Sequence, residues 1–325
     1  MTATLPTYGW LDGELVPWNA CVLHARSAGA LCGATVFEGV RSYQSARFQD
    51  CALFRLGDHL TRLRRSARGA ALTVGYSDAD LAGACAQLLR ANGFTGDAHL
   101  TVTAYAGLAD SLDPLDPEGP CGVHITATAL SSGPHRAGVN VCVAPRRRIG
   151  GDTMPPLANA GGNYQGTRLA RVEARRKGYD TALLLGRGGT IAGGPGCCFA
   201  AVLGGELVSP PVTAEAMDQI TLNTICELAA SELGVPVTRR EVNRAELYGA
   251  QEALLAGTTH QILPILSVDG IQLREGEPGP LTLQLASLYE QVARDHPGYA
   301  HWRTPLAELA PPPAPLDPIS IDEPR

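Results

Sequence analysis

The chain has 325 residues, 45% of them apolar and 18% charged, which suits a soluble globular protein of two domains, because single hydrophobic cores stop growing at roughly 250–300 residues. A formal charge of −6 gives no electrostatic reason to bind nucleic acid, and no apolar run approaches the ~18–20 residues of a membrane helix, so neither nucleic acid nor membrane is expected as a partner. Nine cysteines without C-x-x-C pairs argue against a disulfide framework and against zinc, and the first residues lack the basic and apolar regions of a secretion signal, so a cytoplasmic location is expected.

In chain order, the apolar run 52–56 reads as a strand and 56–68 as a helix with apolar residues at helical spacing. A second helix over 78–92 and a strand over 99–105 follow, and together these form a small α/β domain spanning 1–130. The stretch 131–138, S-S-G-P-H-R-A-G, has the composition of a linker. Beyond it, a larger domain over 139–310 is expected to carry strands at 139–144 and 181–185, helices at 164–177 and 221–233, and a closing helix at 281–295. The basic run R-R-R at 146–148 reads as a solvated loop. From 311 to 325 the prolines exclude helix and central strand, since proline lacks the N–H donor and fixes φ, and an extended or disordered tail is expected. Of the 26 basic residues, Lys177 alone is lysine.

Six segments carry a resemblance. W-L-D-G-E-L-V-P-W at 10–18, G-A-T-V-F-E-G-V-R-S-Y at 33–43, H-L-T-R-L-R-R-S-A at 59–67, A-G-G-N-Y at 160–164, E-A-R-R-K-G-Y-D at 173–180 and G-T-T-H-Q-I-L-P-I-L-S-V-D-G at 257–270 resemble, in order and spacing, the fold-type IV pyridoxal-phosphate enzymes, most closely the branched-chain aminotransferases. The likeness runs from about 8 to 289. It implies a mixed α/β fold with a small α/β domain and a larger pseudobarrel domain, a cofactor cleft between them that takes a small-molecule substrate, and a homodimer.

The resemblance also implies roles. Arg62 matches the arginine on the cofactor phosphate, Ile220 and Thr221 the helix start whose N–H groups face that phosphate, Thr258 and Thr259 a second phosphate-binding turn, and Tyr164 the tyrosine on the cofactor's phenolic oxygen. The match then breaks. Where the family has the lysine that carries the cofactor covalently, this chain has Asn159, and an amide is neither a nucleophile nor an acid/base near neutral pH. Gly193 replaces the glutamate that protonates the pyridine nitrogen, and D-Q-I-T-L brings Asp218 and the bulky Gln219 to the phosphate helix. Thr101 stands for an arginine near the substrate carboxylate.

Other residues have a functional and a plain reading. Asp218 either contacts ligand or caps its helix; Cys197 and Cys198 are either nucleophiles or small hydrophobes; His99 lines the substrate side or is a satisfied structural group. Cys32 widens the pocket, Glu38 holds the fold, and Lys177 is an exposed helix-end residue.

Three functions fit this pattern. The first is an enzyme that uses no pyridoxal phosphate as cofactor and works by acid/base or template catalysis, with Asn159, Tyr164 and Asp218 as its catalytic groups. Cyclisation, isomerisation or elimination of a small organic molecule in specialised metabolism is its expected chemistry. The second is a non-catalytic ligand-binding or partner subunit of an active relative. The third is a branched-chain-aminotransferase-like enzyme that holds pyridoxal or pyridoxamine phosphate without a covalent bond.

Overall fold

The structure, a computed structural model, describes residues 5–45, 50–111, 113–116, 119–130, 137–155 and 157–310. Most of the linker expected at 131–138 and all of the tail expected at 311–325 lie outside the described residues. The chain divides into two compact units, one drawn from Met1–Ser132 and Tyr299–Arg325, the other from Gly133–Gly298.

Among the described residues, the first unit holds a seven-stranded sheet in the order Arg303–Pro305, Cys51–Phe54, Thr35–Gln44, Ala98–Ala106, Cys121–Ala129, Tyr8–Leu11 and Glu14–Pro17, every pairing antiparallel. Its first hairpin turns through Asp12 and Gly13, both at positive φ, which is what a two-residue loop matched to the strand twist requires. The helix Leu56–Gly69 buries Leu56, Leu60, Leu63 and Ala67, a stripe at the helical period, and starts where Arg55 enters the left-handed region at φ 55° and ends the strand. The helix Asp78–Ala91 starts at a capping box in which Ser77 and Asp80 bond each other's backbone N–H.

One boundary differs from the expected domain 139–310. The strand Arg303–Pro305 pairs with Cys51–Phe54, and Trp302 meets Phe54 edge-on at 6.0 Å, so the segment from Tyr299 belongs to the first unit. The cause is the sheet edge. A strand buried along its whole length, as Cys51–Phe54 is, needs its outer N–H and C=O groups paired, and the returning chain pairs them.

The second unit holds a nine-stranded mixed sheet among the described residues. Its order is Val237–Arg239, Glu206–Ser209, Cys198–Leu203, Glu252–Gly257, Gln261–Val268, Val139–Arg147, Thr181–Leu185 and Ile191–Gly193, with Ile271–Gln272 added beside Gln261–Val268. Val139–Arg147 and Thr181–Leu185 pair in parallel, as a crossover helix, Tyr164–Arg176, allows. That helix buries only Ala170 and Ala174, which pack with Cys142, Ala144, Ala182 and Leu184 of the two strands. Helices Ile220–Ser231 and Pro280–Arg294, the latter opening on proline at its first turn, and the short helix Arg244–Leu247 also belong to the unit.

Inside the first unit, Glu38 is fully buried. Its carboxylate accepts from Arg62 Nε at 2.7 Å and Nη2 at 2.6 Å and from His59 Nδ1 at 2.9 Å. Burial alone would push this carboxyl up, but the bonds and charges of His59 and Arg62 hold it below the usual range, while burial pushes the His59 imidazole down against the pull of Glu38. A histidine held neutral in the fold, but protonated once unfolded, costs stability as pH falls below its ordinary value of about 6.5, and a depressed carboxylate does the same lower down. Urea denaturation should therefore show stability declining from pH 7 to 5, with His59→Gln flattening that slope. Glu38→Gln, which leaves the Arg62 charge buried without its counter-ion, should cost about 3–5 kcal/mol at pH 7.

Candidate active site

Asn159 and Tyr164 sit where the chain leaves Val139–Arg147 and enters the helix Tyr164–Arg176. A single 3-10 turn, Gly161–Asn163, leads into that helix. Asn163 closes the preceding loop, its Nδ2 donating to the carbonyls of Pro155 at 3.0 Å and Ala158 at 3.1 Å. Ala158 and Ala160 are buried on either side, so Asn159 is carried inward to 4% exposure, and its Oδ1 accepts from the Tyr164 hydroxyl at 2.7 Å. Lys177 lies at the far end of the same helix, exposed, about 20 Å along the axis from Tyr164 at 1.5 Å per residue. Among the described residues no amine lies within this site.

Tyr164 borders a small pocket of about 20 Å³, room for a water, with Asn163, Arg148, Gly196, Cys197 and Gln219 around it. Gln219 is the first, non-helical residue of Ile220–Ser231, yet its side chain makes no capping bond, so the positive end of that helix is not answered by its own cap. Two acceptors in the pocket wall, Gln219 Oε1 and Asn163 Oδ1, are buried without a hydrogen-bond partner. Ile220 and Thr221 are buried in the first turn. A Cβ on Gly257 would stand 3.4 Å from Cys197 Cβ and 3.6 Å from Gln219 Oε1, so the hairpin that carries Thr258 and Thr259 comes against the helix start. The pair Gly257 and Gln261 closes this three-residue loop, with Gln261 at φ 57°. Thr258 is half-buried and Thr259 exposed.

The remaining candidates divide. Asp218 is neither the cap nor part of the pocket wall; its Oδ1 accepts from Asn223 Nδ2 at 2.9 Å, and Asn223 Oδ1 accepts from Arg239 at 2.5 Å. Cys197 is buried in the apolar core, and burial, with Cys198 adding to it against Arg171 and Arg148, pushes its thiol up to about 12. It stays protonated at neutral pH and packs as a small hydrophobe. Cys198 donates to the Met217 carbonyl at 3.0 Å. Arg62, Cys32, His99 and Thr101 belong to the first unit: Arg62 in the Glu38 network, Cys32 exposed after the short helix Ala28–Leu31, and His99 and Thr101 half-buried on one face of Ala98–Ala106. The run at 146–148 is not the solvated loop expected: Arg146 and Arg147 end the strand Val139–Arg147 and Arg148 lines the pocket. Met217 and the clasp of Asn163 had no assignment in the sequence, Asn163 being visible there only as the asparagine of A-G-G-N-Y.

Gly193 has a conformation of its own. It is buried at φ 136°, and a Cβ there would approach the Cys197 carbonyl oxygen to 2.9 Å, so any side chain, a glutamate included, strains this backbone. Gly193→Ala should cost about 1–3 kcal/mol, read as a fall in melting temperature. Tyr164→Phe, which removes the donor to Asn159, should cost about 0.5–1.5 kcal/mol in urea denaturation.

Residues 35–268 match the family described as amino-transferase class IV. The chain is 35% identical over 299 residues to the branched-chain-amino-acid aminotransferase of Escherichia coli strain K12, covering 89% of this chain and 94% of that protein. Among solved structures, the branched-chain aminotransferase of Thermoproteus uzoniensis with norvaline superposes with a TM-score of 0.85 at 34% identity, covering 93% of this chain and 99% of that one. The branched-chain amino acid aminotransferase of Thermobaculum terrenum in its PLP form does so with a TM-score of 0.87 at 33% identity, covering 93% and 99%.

These likenesses overturn two expectations. The relatives named above are branched-chain aminotransferases, and nothing in them points to a cyclase, isomerase or eliminating enzyme that dispenses with pyridoxal phosphate. The expectation of no cofactor fails likewise, because a relative of the same fold is solved with PLP. An uncapped helix start beside a threonine turn is chemically suited to an anion such as a phosphate, and Tyr164 and Gln219 line one pocket. Asn159 offers no covalent anchor. Among the described residues no helix is long and apolar enough to cross a membrane, and no group of three or more His, Cys, Asp or Glu is placed to hold a metal. With the fold-type IV architecture and most of its length matched, the chain belongs to the class IV aminotransferase family.

Proposed function

We propose that this protein is a branched-chain-aminotransferase-like enzyme that binds pyridoxamine or pyridoxal phosphate without a covalent bond, as a homodimer, and acts on a branched-chain amino acid or its 2-oxo acid. The observation that supports the reading is the helix start at Ile220–Thr221, without a side-chain cap and beside the Thr258–Thr259 turn, in a chain with asparagine at 159. The bound cofactor would supply the amino-group exchange and the electron-withdrawing ring. The chain's own groups would bind and orient: backbone N–H groups of the first helical turn and the threonine turn hold the phosphate, and the Tyr164 hydroxyl steadies the ring oxygen. Asn159 offers a carboxamide that keeps the same donors and acceptors at every physiological pH, so it orients a carbonyl without trapping it. It does not titrate, and proton movement falls to another group or to water.

Absorbance and calorimetric titration of the purified protein with pyridoxamine phosphate and with pyridoxal phosphate tests this. Saturable binding that reverses on gel filtration, with no borohydride-fixed adduct, is expected. A stoichiometric reduced adduct at Lys177, or no binding of either compound at millimolar concentration, would overturn it. Asn159→Lys should become fixable by borohydride yet transfer amino groups poorly, because Gly193 supplies no carboxylate to the ring nitrogen.

A further inference from the structure

A second cavity, of about 660 Å³, lies in the unit Gly133–Gly298. Its volume falls in the range of about 300–1,000 Å³ usual for small-molecule sites. Its lining includes the apolar side chains of Val139, Leu255 and Leu263 together with Arg171 and Arg175 from the helix Tyr164–Arg176. These arginines are one turn apart, so their Cβ atoms stand about 5–6 Å from each other and their charges repel. One carboxylate, that of Asp180, lines the same cavity. Glu173, the one acidic residue of that helix, is taken by Arg146 at 2.7 Å, and Asp180 accepts from the backbone N–H of Asn140 at 2.8 Å. Among the described residues neither guanidinium has an ion-pair or hydrogen-bond partner, whereas Arg146, Arg187, Arg240, Arg244 and Arg294 of the same unit each have a carboxylate.

Two unpaired guanidiniums and three apolar side chains lining one cavity match one ligand chemistry. We propose that this cavity binds an amphipathic organic acid, its carboxylate held between Arg171 and Arg175 and its hydrocarbon against Val139, Leu255 and Leu263. Guanidinium is suited to the head, since its planar fork meets a carboxylate with two parallel hydrogen bonds. The wall selects for the body, because a free inorganic anion gains nothing from Leu255 and Leu263. The site is separate from the Tyr164 pocket, and the inference stands whether or not a cofactor binds there; Cys197 is the wall residue the two share.

Calorimetry with three probes separates the possibilities: 4-methylpentanoate, the neutral 4-methylpentanol and inorganic phosphate. Wild-type protein should bind the acid more tightly than the alcohol or phosphate. Arg171→Ala/Arg175→Ala changes two exposed helical positions to a good helix former, so it should fold, and it should bind the acid at least about tenfold more weakly. Leu263→Asn should weaken the acid and leave phosphate unchanged. Equal acid binding by the double arginine variant, alcohol binding as tight as the acid, or phosphate binding as tight as the acid would each overturn the proposal. So would a crystal soaked with the acid in which the cavity is filled by a neighbouring copy of the chain.

Discussion

Two alanines decide where the chemistry of the second unit can sit. Ala170 and Ala174 are the buried residues of the helix Tyr164–Arg176, and their small side chains let it lie close on the parallel strands Val139–Arg147 and Thr181–Leu185. A bulkier residue at either point would lift the helix, and a core at interior packing density does not absorb added volume without strain. With that contact fixed, the helix start places Tyr164 against Asn159, and the next turns carry Arg171 and Arg175 to another cavity. One packing contact thus sets both the polar pocket and the basic one.

Much of this was readable in the residues. The helices at 56–68 and 78–92 emerge within a residue or two of their observed ends because their apolar spacing is regular and one begins at a Ser-Asp cap. Strands of three residues, such as Ile191–Gly193, Val237–Arg239 and Arg303–Pro305, were not readable: they are too short to show a period, and they exist because a distant strand offers an unpaired edge. At the site, the residue types at 159, 164, 193 and 258 followed from the resemblance. The clasp of Asn163 on two carbonyls and the unpartnered oxygen of Gln219 depend on loop geometry that no spacing encodes.

The functional reading erred in its weighting. The first of the three functions rests on Asn159, Gly193 and the Asp218–Gln219 pair together, although covalent attachment and phosphate binding use different atoms. A phosphate is held by backbone N–H groups and hydroxyls, and those depend on the fold rather than on any one side chain. The helix start at Ile220 and the turn at Thr258–Thr259 are set by backbone geometry and not by the residue at 159. Gly193 lies in a backbone conformation that a side chain does not enter easily.

The return of the chain at Tyr299 has a consequence for how the molecule is made. The second unit is continuous in sequence, while the first is split around it and closes its sheet only with Arg303–Pro305. Domains form as units while synthesis proceeds from the N-terminus. The order of completion is therefore inverted relative to the order of translation: the strand Cys51–Phe54 leaves the ribosome early with one edge open, and it waits through the synthesis of the entire second unit for the segment that covers it. During that interval the open edge is the part of the nascent chain most in need of shielding from other strands.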